Sequence, residues 1–508
     1  MPSSLVKTVV FVLLASIGSF LFGLLNDLDV FKPLPAPSLG GETRGGTTTT
    51  TTPPGFVCRT LARETAIGAE DIITITPSIL LAGTDDRLRL WENARFGPAK
   101  TPQGGLLAIY DDEEEERKEG GKKGEEGITI EPVPLVNFPE GIAFHPHGMY
   151  YHRETSKLFV INHAYEKGGE RIDVFHLPFT TITSSRSRSS RRMRLVHARW
   201  LYVLAPPIFQ AECMGTLNDL VVLHSLPAAA AGGKEGGREP RREDELYVTH
   251  YRAFPDAAAG RLVPGNILAG VHDLLNFFSI VSRRRWTRVL YCKGNVCRPT
   301  EINGKQGGGV LFNGINVSPD RKRLLVADMK SVQVLEIDPS LPLSLHRLAH
   351  LPTPHLVDNI EGIRSETEGG REGGGEELES YTLGSCGHLW MFLRHNLHYA
   401  GQAHGDRAMV YNITGGVQRL QREGGTEGEY VVKEVLLQDG SGLSGVSGAA
   451  MLSRFSSSSE GGERRERYVM GSWSDRGIMV CEKQEMKEMK EEEEEDGGVQ
   501  EGEGKEEL

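Results

Sequence analysis

From about residue 58 to residue 481 the chain repeats one arrangement of apolar and polar positions: a short run with β-branched or aromatic residues at alternate places, a turn, and a second such run. The segments LFVINHAYEKGGERIDVFHL (158–177), ELYVTHYRAF (245–254), RLLVADMKSVQVLEID (323–338) and RYVMGSWSDRGIMVCE (467–482) show it. Alternation with period two, bounded by turn residues, predicts β-hairpins. Helical spacing of apolar residues is scarce, and the stretch 267–280 is the best helical candidate. Many short hairpins at wide, fairly even intervals predict an all-β chain and, within that class, a propeller with blades of about 40–50 residues. The repeats diverge too far for periodicity to set the number of blades.

Polar, low-complexity runs interrupt the hairpins at 111–127, around Arg186–Arg194, and at 228–244, 366–377 and 456–467. They fall between strand candidates, where loops accept insertions, and read as solvated loops. They also explain a composition with 61 glycines and only 38% hydrophobic residues in 508, because the sequence outside them is normally globular. The net charge of −12 is concentrated in residues 482–508, with 13 acidic residues against four lysines. The remainder is near neutral, which argues against a nucleic-acid partner.

The N-terminus changes the picture. Lys7 precedes the apolar run TVVFVLLASIGSFLFGLL, residues 8–25. Its length lies between a secretory signal core of about 7–15 residues and a membrane span of about 20. Residues 1–25 therefore read as a signal peptide or an uncleaved signal-anchor, the latter favoured, and either directs the chain into the secretory pathway, with the membrane as a partner. A low-complexity linker (26–57), the β domain (58–481) and an acidic tail (482–508) follow. The tail ends KEEL, which reads either as an endoplasmic-reticulum retention address or as the end of a Lys/Glu-rich run. The lumen or membrane of that compartment is the favoured location, with secretion as the alternative.

Four acid/amide motifs stand far apart beside apolar strand candidates: Glu70-Asp71, Asn218-Asp219, Asn313 in FNG, and Asp358-Asn359. Asp, Asn and Glu are disfavoured in strands. Each motif alone reads as a turn or cap, but four in separate hairpin units suggest convergence on one polar centre. In a propeller the innermost strand of each blade lines the channel, and oxygen donors gathered there suit Ca²⁺.

These motifs, with FHPHG (144–148), occur in the order and approximate spacing of the serum paraoxonase/arylesterase family, and the chain resembles that family across essentially all of its folded part. The resemblance implies a six-bladed β-propeller with two calcium ions on its axis. It implies a catalytic calcium held by Glu70, Asn218, Asn313, Asp358 and Asn359, and a structural one held by Asp71, Asp219 and the carbonyl of Met149. Neighbouring strand residues point to opposite sides, so each paired motif can serve both ions. His147 in FHPHG and His163 in VINH match the family's histidine dyad, in which one imidazole activates water. The implied activity is calcium-dependent hydrolysis of lactones or aryl esters. A strictosidine-synthase-like or gluconolactonase-like propeller enzyme, or a non-catalytic lumenal propeller stabilised by calcium, is the alternative.

The resemblance also implies a disulfide between Cys58 and Cys481, closing the ring. Cys292 and Cys297 flank a Lys-Gly-Asn turn and either pair across a hairpin or remain two thiols. Asn316 and Asn412 head N-x-[ST] glycosylation sequons. The chain departs from the family after YVT, where His250, Tyr251 and Arg252 replace an Asn-Asp-His run, and near HLW, where Leu393 and Arg394 replace a cysteine and a histidine.

Overall fold

The computed structural model describes residues 56–87, 103–111, 127–164, 169–177, 193–202, 216–224, 243–252, 275–276, 278–280, 282–363, 379–387, 413–423, 428–438, 440, 442–455 and 464–483. Among them the strands form six sheets, antiparallel apart from two short parallel pairings, Leu195 and Val196 with Leu135 and Val136, and Glu301 and Ile302 with Ser344 and Leu345. Blade one holds Ala69–Thr76, Ile79–Thr84, Gly105–Asp111 and Ile128–Pro132. Blade two holds Pro146–His152, Lys157–Ala164, Gly169–His176 and Leu195–Tyr202, and blade three Thr216–His224, Glu245–Arg252, Arg288–Lys293 and Val296–Pro299. Blade four begins with Phe312–Val317 and blade five with Leu356–Gly362. Blade six takes Val446–Phe455, Arg464–Ser472 and Ile478–Lys483 from the C-terminal part and Phe56–Leu61 from the other end of the chain.

The first strand of each blade touches its counterparts on either side, and the six contacts close into a ring. The fold is the all-β, six-bladed propeller that the motifs imply. Its core is divided accordingly into six hydrophobic clusters, one at each interface between neighbouring blades. Alternation supplies both faces of each blade: Leu158 and Val160 pack toward blade one, whereas Phe159 and Ile161 pack toward blade three.

Closure is a local event between distant residues. Phe56–Leu61 pairs with Ile478–Lys483 in a register that sets Cys58 opposite Cys481, and the two form a disulfide across 423 positions. Cys292 and Cys297 are directly opposed in the Arg288–Lys293/Val296–Pro299 hairpin and are also disulfide-bonded. Gly294 supplies the turn with φ near +57°, where glycine carries no Cβ penalty.

The helical candidate at 267–280 is helical over the described 275–276 and 278–280. No helix among the described residues is long and apolar enough to cross a membrane. The apolar run 8–25, the KEEL terminus, Cys213, Leu393, Arg394 and Asn412 lie outside the described residues. Asn316 is buried in its strand, with Nδ2 donating to the Ile360 carbonyl at 2.9 Å.

Candidate active site

All four acid/amide motifs and Pro146, His147 and Gly148 of FHPHG fall on the inner ring, with Phe144 and His145 just before it. The sequence pattern sets the motifs beside strands, but the structure places them within the inner strands, and a local feature explains how such residues are accommodated. Strand pairing slips between Ala69 and Asp71, Pro146 and Met149, Leu217 and Leu220, Phe312 and Ile315, and Val357 and Ile360. The sixth inner strand slips between Val446 and Gly448. A bulge takes residues out of the ladder and re-aims their side chains. Here Glu70, His147, Asn218, Asp219, Asn313, Asp358 and Asn359 are among the released residues, whereas Asp71 stays opposite Gly83.

The strands approach closely at these points. A Cβ on Gly148 would lie 2.3 Å from the Asn218 carbonyl oxygen, and one on Gly314 would lie 2.5 Å from the Asp358 carbonyl oxygen. Glycine next to His147 and next to Asn313 is therefore required by the approach of the neighbouring blade.

Two neighbourhoods result. In the first, His147 Nε2 lies 3.1 Å from Glu70 Oε1 and 3.1 Å from Asn218 Nδ2. Asn359 Nδ2 donates to the Glu70 carbonyl at 3.0 Å, and the Asn313 side chain is bonded to the Asp358 carboxylate. In the second, Asp71 Oδ2 accepts the Met149 N–H at 2.7 Å. Asp219 accepts the Leu220 and Ile315 N–H groups at 2.7 and 2.9 Å. Glu70 and Asn218 thus take part in one neighbourhood while Asp71 and Asp219 take part in another.

The donor chemistry fits calcium in the first neighbourhood. Asn218 Oδ1, Asn313 Oδ1 and Asp358 Oδ1 are buried oxygens without a hydrogen-bond donor. Glu70 Oε2 differs, because the Arg87 guanidinium lies against it as an ion pair. Buried acceptors without a donor are costly, and a hard cation is the partner they lack. No group of three or more His, Cys, Asp or Glu side chains among the described residues makes a metal cluster alone, so the set depends on its amide oxygens. The second neighbourhood is crowded with negative charge. Burial, then Asp219 and Glu361, push the Asp71 carboxyl well above its ordinary range. Burial pushes Asp219 up to about 8 and Asp358 up to about 7. A bound cation would favour the ionised form of each.

The histidines adjoin the first centre. His147 Nδ1 meets His163 Nε2, with ring centroids 4.6 Å apart. Burial, followed by the Arg87 guanidinium, the neighbouring His163 ring and the Arg252 guanidinium, holds His147 well below its ordinary pKa, which favours the neutral ring. The positions that depart from the family form part of the same wall. The Tyr251 ring packs edge-on to His147 at 6.1 Å, and Arg252 stacks over Tyr251 at 5.1 Å.

Several residues at the site carried no signal in the sequence. Arg87 reaches Glu70 and donates to the Pro146 carbonyl at 2.7 Å from a segment with no strand pattern. His145, the other histidine of FHPHG, is turned away from the dyad and lies 3.0 Å from Asp85. Glu170 approaches His163 at 3.2 Å from the neighbouring strand.

These features define a six-bladed propeller with a buried carboxylate, amide and histidine centre on its axis. The chain is similar to human serum paraoxonase/lactonase 3, with 25% identity over 222 residues, 43% of this chain and 45% of that protein. It is 24% identical over 223 residues to bovine serum paraoxonase/arylesterase 2, covering 43% and 46% of the two chains. The matches thus span about half the length of the curated relatives. No family model matches the chain. Solved structures with a similar course include a gluconolactonase from Xanthomonas campestris, at 11% identity and a TM-score of 0.36 over 86% of this chain and 93% of that one. The pyranose dehydrogenase PQQ domain from Coprinopsis cinerea has 9% identity and a TM-score of 0.41 over 86% and 98%.

Proposed function

We propose that this protein is a calcium-dependent hydrolase of carboxylic esters, with lactones and aryl esters as its substrate class. The observation that carries the reading is the position of His147: buried and neutral, with Nε2 against Asn218 and Glu70 of the candidate ligand set and Nδ1 against His163. The paraoxonase relatives, one named a lactonase and the other an arylesterase, support it.

Glu70, Asn218, Asn313, Asp358 and Asn359 would hold the catalytic ion, and Asp71, Asp219 and the Met149 carbonyl a structural one. Calcium, when bound, polarises the ester carbonyl and offsets the charge that develops on its oxygen. His147 takes a proton from water as the water oxygen bonds to the carbonyl carbon. When the carbon–oxygen bond to the leaving group breaks, the same proton returns to that oxygen, so an aryl ester gives an acid and a phenol and a lactone opens to one hydroxy acid. The His163 ring orients His147 through its Nδ1. Tyr251 and Arg252 shape the wall where the chain departs from the family.

Two disulfides suit an oxidising compartment. With the apolar segment 8–25, they support a location in the secretory pathway, in its lumen or at its membrane. The decisive experiment is a panel of lactones and aryl esters assayed with and without chelator, followed by calcium restoration. Activity lost on chelation and restored by calcium is expected. Activity indifferent to chelator, or restored only by zinc, would overturn the reading. Calcium binding without turnover of any substrate would favour a non-catalytic propeller.

A further inference from the structure

We infer that Glu170 is a positioning residue that sets the tautomer of both histidines, an inference that rests on the hydrolase reading above for its catalytic consequence. Glu170 lies in the blade-two strand Gly169–His176, directly opposite His163 in the register. Its Oε1 stands 3.2 Å from His163 Nδ1, an ion-pair contact and not a formed hydrogen bond, with both side chains about 5% exposed. The same oxygen accepts the N–H of Leu217 at 2.9 Å. Leu217 immediately precedes Asn218. One carboxylate oxygen therefore joins the back of the histidine pair to the strand that carries a candidate calcium ligand.

An ionised carboxylate accepts protons and donates none. Close to His163 Nδ1, a negative oxygen favours a hydrogen on that nitrogen, which leaves a lone pair on His163 Nε2. That lone pair meets His147 Nδ1, so the hydrogen between the rings belongs to His147. His147 Nε2 is then bare and able to take a proton from water.

The surroundings of His147 Nε2 leave its state open. Asn218 Nδ2, a donor, and Glu70 Oε1, an acceptor, both stand 3.1 Å away. A bare Nε2 selects the Asn218 donor. It also fixes the orientation of that amide, so that Asn218 Oδ1, which has no hydrogen-bond donor, is the atom left for a cation. The opposite tautomer would set a lone pair of His163 against the Glu170 carboxylate, and the His147 N–H would then turn from Asn218 Nδ2 to Glu70 Oε1. Glu170 thus selects, through two rings, both the basic nitrogen and the face of Asn218.

The test is Glu170→Gln, which keeps an oxygen for the Leu217 N–H but removes the charge and adds a competing donor. Histidine labelled with ¹⁵N reports tautomers directly, and His163→Gln and His147→Gln assign the signals. In the unaltered protein both His163 and His147 should carry hydrogen on Nδ1. In Glu170→Gln the His163 Nδ1 signal should lose that character. Turnover should fall by roughly 10²–10⁴-fold with KM within about twofold, as expected when an orienting carboxylate is replaced by an amide. Calcium content and melting temperature should stay near those of the unaltered protein, whereas Glu170→Ala, which also strands the Leu217 N–H, should lower stability. Unchanged tautomers, unchanged turnover in an active enzyme, or a loss of calcium and stability matching the loss of turnover would each overturn the inference. If the unaltered protein hydrolyses no ester, the hydrolase reading fails, while the tautomer measurement still decides the role of Glu170.

Discussion

Asn359 donates its Nδ2 to the main-chain carbonyl of Glu70, 3.0 Å away and 289 positions earlier in the chain. The two residues belong to the inner strands of blades five and one, with the inner strand of blade six between them in the ring. The bond thus brings the first and last motifs of the candidate ligand set together past the inner strand of blade six.

Removing a ligand should show this coupling. Asp358→Ala and Asn359→Ala are expected to lower calcium content, melting temperature and ester hydrolysis together. A ligand present at a hundred times its Kd contributes about 2.7 kcal/mol to the folded state, and that contribution disappears with the site. Elemental analysis and thermal unfolding in calcium check the prediction. Full calcium content and activity in Asp358→Ala would show that the catalytic centre lies elsewhere.

His147→Gln should separate base from metal. Both ions and the melting temperature should be retained, while turnover falls by roughly 10²–10⁴-fold. The loss should be smaller for aryl esters with good leaving groups, whose departure needs less proton transfer. Lactone turnover equal to that of the unaltered enzyme would remove His147 from the proton-transfer role.

Calcium and pH should act on one set of carboxylates. Burial raises Asp219 to about 8 and Asp358 to about 7, against about 3.8 in the unfolded chain. With chelator present, the folded state binds more protons than the unfolded state between those values. The stability contributed by these groups is complete below about pH 3.8 and is lost as the pH rises toward 8. Chelated protein should therefore melt at a lower temperature at pH 8 than at pH 5.5, and saturating calcium should reduce the difference by favouring the ionised carboxylates. Parallel pH dependence with and without calcium would contradict the assignment.

Gly148→Ala and Gly314→Ala should destabilise the ring. Each added Cβ would meet a neighbouring backbone at 2.3 and 2.5 Å, and overpacking of this kind costs about 1–3 kcal/mol or more. Gly362→Ala is the control, since nothing lies within 4 Å of its added Cβ. Denaturant midpoints compare the three. Equal midpoints for Gly314→Ala and Gly362→Ala would mean that the blades do not approach as described.

Loss of the ring-closing disulfide should be costly. Loop-entropy models assign a closure of this length about 4–5 kcal/mol or more. The Cys58→Ser/Cys481→Ser protein should unfold at markedly lower denaturant, whereas breaking the local Cys292–Cys297 bridge, only five positions apart, should matter less. Non-reducing peptide maps should contain both linked pairs.

The sequence by itself determined the strands. Alternation in segments such as Leu158–Ile161 specifies opposite faces without knowledge of the neighbours, because side-chain direction follows from backbone geometry. It also marked Glu70, Asp71, Asn218, Asp219, Asn313, Asp358 and Asn359 as unusual, since their chemistry is local and disfavoured in strands. Their meeting was expected from the family resemblance, whereas their geometry was decided only by the tertiary structure. Bulges at the motifs, the approach of one blade's glycine to the next blade's backbone, and the slot for Phe56–Leu61 beside Ile478–Lys483 are relations between segments far apart in sequence. The same holds for Arg87, for the His145–Asp85 pair and for Glu170. Nothing near Glu170 in the chain distinguishes it from a surface glutamate, and it reaches His163 and Leu217 because strand register and blade packing bring three separate backbones together around one carboxylate oxygen.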